Sequence, residues 1–109
     1  MRYILVLILA MSAGSAWAEA LFDGSTPKAA RASILAMGQE ADGRAHGKTF
    51  EALHAAVNKI DRSIAPKYRP VAGQPYDPVK SNAAKQAEFH QLLGGKSTAQ
   101  ILEMAARLP

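Results

Sequence analysis

Apolar side chains recur at helical spacing along most of this chain, and no stretch alternates convincingly at the period of two that a half-buried strand requires. The clearest row is Phe50, Leu53, Val57, Ile60 and Ile64. Its spacing of three, four, three and four predicts a helix over residues 48–64 with these side chains at the centre of a core. Burying each contributes on the order of 1.5–3 kcal/mol before entropy is subtracted, so a charge at Val57 is expected to unfold the domain. Upstream, Ala30, Ile34, Met37 and Ala41 share one helical face. Thr26-Pro27 supplies an N-cap followed by proline at the first helical position, where its missing N–H costs nothing. Gly38 weakens the last turn of that helix, and Asp42-Gly43 ends it. Phe22-Asp23-Gly24-Ser25, just before it, reads as a turn.

Asp77-Pro78 repeats the cap-then-proline signal and opens a third helix over about 79–93. Phe89, Leu92 and Leu93 form its apolar face, with Val79 and Ala83 at the margin, and Lys80, Lys85 and Glu88 in solvent or flanking. The next stretch, Gly95-Lys96-Ser97-Thr98, looks like the end of a phosphate-binding loop. That loop reads G-x-x-x-x-G-K-[ST] after a strand, whereas here the first glycine position holds His90 on a helix. A joint between helices is the better reading: Gly94 or Gly95 supplies the left-handed residue that ends the third helix. Ser97-x-x-Gln100 then forms a capping box. A fourth helix runs to about Arg107 and buries Ile101, Ala105 and Leu108. Between the second and third helices, Pro66, Pro70, Pro75 and Pro78 punctuate residues 65–78, predicting an irregular or polyproline-like crossover. The expected fold is all-α, a small bundle of about four short helices with a proline-rich crossover loop.

The first 18 residues have the pattern of a cleaved signal peptide: Arg2, the apolar run Tyr3 to Met11, then Ala16-Trp17-Ala18 before Glu19. The run is about half of the roughly 20 residues needed to span a bilayer, so no transmembrane anchor is expected after cleavage. Removing it leaves residues 19–109 as one domain, with 12 basic and 9 acidic side chains. The chain has no cysteine, so an exported domain this small must hold together by packing rather than by disulfides. Basic residues concentrate in 44–70, a mild patch that suits an acidic partner or an anionic membrane surface. They form no dense stripe with interleaved aromatics, and nucleic acid is not an expected partner.

Candidate chemistry is sparse. Glu51-x-x-His54 has the spacing of a helical carboxylate–histidine metal pair, with His46 and His90 as further candidates. A second such pair is missing, and His54 lies beside the apolar row, so a flanking surface histidine is expected. No nucleophile elbow or cysteine nucleophile is present, and no catalytic residue, cofactor or metal site is assigned. The proline-rich loop offers Tyr68, Arg69 and Tyr76 as a candidate partner-binding surface, because aromatic and arginine side chains make good interface anchors.

Phe22-Asp23-Gly24-Ser25-Thr26 after a leader, Ser33-Ile34 and Met37, Phe50-x-x-Leu53, and Leu93-Gly94-Gly95-Lys96-Ser97 followed by Ile101 and Ala105 together resemble a family of small bacterial envelope lipoproteins of unknown function. In that family the leader ends in a lipobox cysteine that is acylated. Here Met11-Ser12-Ala13-Gly14-Ser15 carries serine, which cannot form the thioether, so no lipid anchor is expected. The resemblance implies no activity and no catalytic residue. The expectation is a periplasmic or secreted, non-enzymatic interaction or accessory module of the envelope. The alternatives are a membrane-surface binder using the basic middle segment and a metal-dependent envelope factor.

Overall fold

The computed structural model describes residues 19–109; the expected signal peptide, its cleavage site and the serine-bearing lipobox equivalent lie outside the described residues. Among the described residues four α-helices follow one another: α1 (Pro27–Asp42), α2 (Lys48–Ile64), α3 (Pro78–Leu93) and α4 (Thr98–Ala106), with a 3₁₀ turn at Ala65–Tyr68. Among the described residues there is no strand.

Local chemistry accounts for most of the boundaries. Thr26 Oγ1 accepts the Ala29 N–H at 3.0 Å to start α1, and Gly43, at φ 72°, closes it by donating its N–H to Gln39. The N-cap of α2 is Gly47, which has no side chain to offer. Asp42, the last residue of α1, does the capping from a distance. Its two carboxylate oxygens accept the N–H and the hydroxyl of Thr49, each at 2.7 Å. These bonds to Thr49 hold the Asp42 carboxyl below its usual range and fix the α1–α2 hairpin. Asp77 caps α3 through Val79 and Lys80. The capping box at α4 is complete, with Gln100 N–H donating to Ser97 Oγ at 3.2 Å and Ser97 N–H to Gln100 Oε1 at 2.8 Å. Gly95, at φ 76°, is the left-handed residue of the joint before it.

The central element is α2, which packs against α1 on one side and α4 on the other, while α3 lies against the 3₁₀ turn and α2. Leu53, Leu93 and Ile101 are sealed from solvent, and Met37, Val57, Ile60, Ile64 and Phe89 complete most of the core around them. The structure corrects the pattern reading at several places. Ala41 and Ala83 face solvent, and Val79, in the first turn of α3, is 77% exposed. Phe50, which heads the apolar row of α2, is only half-buried. The 65–78 stretch is irregular only after Tyr68. Pro66 falls in the opening of the 3₁₀ turn, where an absent N–H breaks no bond, so the chain coils on past Ile64.

The largest correction concerns the segment before α1. Phe22 is 2% exposed and belongs to the core, its ring meeting that of Phe89 edge-to-face at 5.6 Å. Residues 20–25 form a strap. Phe22 exchanges backbone hydrogen bonds with Lys96 (3.0 Å) and Gly95 (2.8 Å), Asp23 N–H donates to Ser33 Oγ on α1, and Gly24 N–H donates to His90 Nδ1 on α3 at 3.1 Å. A β-carbon on Gly24 would lie 2.8 Å from the Phe22 ring, so glycine is what lets the strap press onto the two aromatics.

Candidate functional site

The loop site is built from the end of α2 outward. The 3₁₀ turn carries Lys67 and Tyr68 to the flank of α3, where both engage Glu88. The Lys67 ammonium donates to one carboxylate oxygen and the Tyr68 hydroxyl to the other. A third tie is the Ser81 hydroxyl, which donates to the Tyr68 carbonyl at 2.8 Å. The hydrogen bond from Lys67, then that from Tyr68, holds the Glu88 carboxyl below its usual range. The same carboxylate pushes up both the Lys67 ammonium and the Tyr68 phenol. Tyr68 is therefore half-buried and tied down, whereas the sequence reading places it in an exposed surface.

Beyond this anchor the backbone reverses, with Gln74 N–H donating to the Val71 carbonyl at 3.1 Å and Gly73 at φ 81°. The turn folds the loop back so that Tyr68, Arg69 and Tyr76 line one shallow depression of about 180 Å³, together with Lys67, Val71 and Ser81 among others. Arg69 is exposed, as are Val71 (56%) and Tyr76 (42%). All three residues singled out in the sequence thus come together, in two roles: Tyr68 supports, while Arg69 and Tyr76 are presented. Glu88, which organises the site, was legible only as a wet or flanking carboxylate. It lies twenty positions from Tyr68, and no local spacing announces that contact.

The histidines divide. His46 and His54 flank Phe50: the His46 ring meets it edge-on at 4.7 Å and the His54 ring stacks at 5.9 Å with 17° between planes. The His90 ring is engaged separately by the strap, accepting from Gly24 with Asp23 Oδ1 at 4.0 Å. Among the described residues no three histidine or carboxylate side chains gather as a metal site would need. The basic middle segment is likewise split. Lys67 is taken by Glu88 and Lys59 donates to the Leu108 carbonyl, leaving Arg44, Lys48, Arg62 and Arg69 exposed. No described helix is long and apolar enough to cross a membrane. No family model, curated protein or solved structure matches the chain.

Proposed function

We propose that the chain is a small non-enzymatic interaction or accessory module of the bacterial cell envelope, acting in the periplasm or outside the cell, and that residues 69–76 form its docking surface for a protein partner. The envelope setting is supported by the leader pattern of residues 1–18 and by the resemblance to small envelope lipoproteins. The docking role is carried by one observation: Arg69 and Tyr76 stand exposed around a depression whose base is pinned to α3 through Tyr68, Lys67 and Glu88. A pinned loop loses less freedom on binding than a slack one, which is how preorganisation raises affinity. Arginine and tyrosine are the side chains that such surfaces most often use as anchors.

Crosslinking in living cells, followed by identification of what is captured, tests this reading. Arg69→Ala and Tyr76→Ala are expected to lose the captured partner while circular dichroism shows the helices intact. Unchanged capture by both variants would remove the loop from the account.

A further inference from the structure

A second concavity lies on other elements, and the interaction surface proposed above does not use it. Gly38 on α1 packs against the start of α2 so closely that a β-carbon there would lie 2.8 Å from Phe50 Cα. With the two backbones in contact at this point, the Phe50 ring sits beside the core instead of inside it. It faces a groove of about 240 Å³ lined by Arg31, Ile34, Leu35, His46, Phe50 and His54.

We infer that this groove binds a small anionic aromatic molecule, an aryl carboxylic acid. Ile34 and Leu35 on α1 and the Phe50 ring on α2 supply apolar surface, and the two imidazoles beside Phe50 extend it as an aromatic face. A planar guest gains more from stacking and edge contacts there than a flexible chain does. The sign of the charge comes from the rim. Arg31 is exposed and forms no ion pair among the described residues, and no carboxylate lines the groove. A guanidinium offers a carboxylate two parallel hydrogen bonds, while a cationic guest would meet Arg31 unfavourably. The volume equals that of about eight liquid waters, enough for one ring with a short acid arm. A bare inorganic anion would satisfy Arg31 but leave the apolar wall uncovered.

The test is an NMR titration of the exported protein with 3-phenylpropionate, following the His46 and His54 ring signals and the Ile34 methyls. Saturable shifts at these three residues are expected, with the Ile101 methyls unmoved as a check on the core. The neutral amide of the same acid should bind about tenfold more weakly, the cost of a charge-assisted hydrogen bond, and Arg31→Gln should weaken the acid by a similar factor. Hexanoate should bind more weakly than the aryl acid. Absence of saturable shifts with 3-phenylpropionate would overturn the inference. So would equal binding of acid and amide, an Arg31→Gln variant that binds the acid unchanged, or hexanoate matching the aryl acid.

Discussion

The Phe22 carbonyl accepts the Gly95 N–H at 2.8 Å, which ties the segment before α1 to the joint before α4. The return bond from the Phe22 N–H to the Lys96 carbonyl, at 3.0 Å, makes the pairing reciprocal. Between these bonds the Phe22 ring is carried into the core against Phe89. The strap is thus a structural member of the bundle.

Phe22→Ala is therefore expected to destabilise the domain by about 3–5 kcal/mol, the usual cost of emptying a buried phenylalanine site. Against a total of roughly 5–15 kcal/mol for a native domain, that leaves the variant close to unfolding. Phe22→Leu should lose clearly less, because most of the volume remains. Urea denaturation followed by circular dichroism measures both. A Phe22→Ala variant as stable as the parent would show that the strap does not hold the core.

Gly38→Ala separates helix propensity from packing, because the two oppose each other at this position. Alanine is favoured over glycine inside a helix by about 1 kcal/mol. The added β-carbon, however, would press on the Phe50 backbone, which cannot rotate away as a side-chain tip can, and overpacking of this kind costs about 1–3 kcal/mol. The net expectation is a lower melting temperature, accompanied by shifts of the His46 and His54 ring signals as Phe50 moves. A higher melting temperature would mean that α1 and α2 do not approach so closely.

Glu88 predicts a pH dependence with a definite sign. Its folded-state pKa is depressed by Lys67 and Tyr68, so its stabilising contribution is complete above the ordinary value of 4.5 and is lost as pH falls through the depressed value. The Tyr68 phenol and the Lys67 ammonium are raised from 10.0 and 10.5. Their contributions are complete below those values and are lost as pH climbs through the raised ones. Asp23 and Asp42 are also lowered, so the wild-type profile alone does not isolate Glu88. The difference between wild type and Glu88→Gln does. Their denaturation midpoints should differ near neutrality and converge as pH drops from 4.5 through the depressed value. Parallel profiles across that range would mean that the cluster contributes nothing.

The elements that the sequence reveals are those whose cause lies within one turn of helix. The Thr26-Pro27 start, the Asp77-Pro78 start and the Ser97–Gln100 box each rest on a side chain bonding to a backbone group two or three residues away. The apolar row of α2 is legible because a buried face repeats with the helix itself. What is not legible has its cause far along the chain. Phe22 reads as a turn residue because the joint and the Phe89 ring that bury it lie near the other end of the sequence. Phe50 reads as the head of a core row, but Gly38 meets its backbone at close range, and its ring lies beside the core between His46 and His54. Tyr68 reads as a loop anchor, and only its contact with Glu88 turns it into a support.

By itself, then, the sequence determined the all-helical fold of the described residues, most of the helix boundaries and most of the core, because most capping and all periodic burial are short-range and depend on residue type. The tertiary structure decided which glycines are contact points, that the strap before α1 belongs to the core, and which of the loop's side chains are left exposed. Those outcomes depend on which distant surfaces are brought within a few ångströms of each other, and no local spacing encodes that.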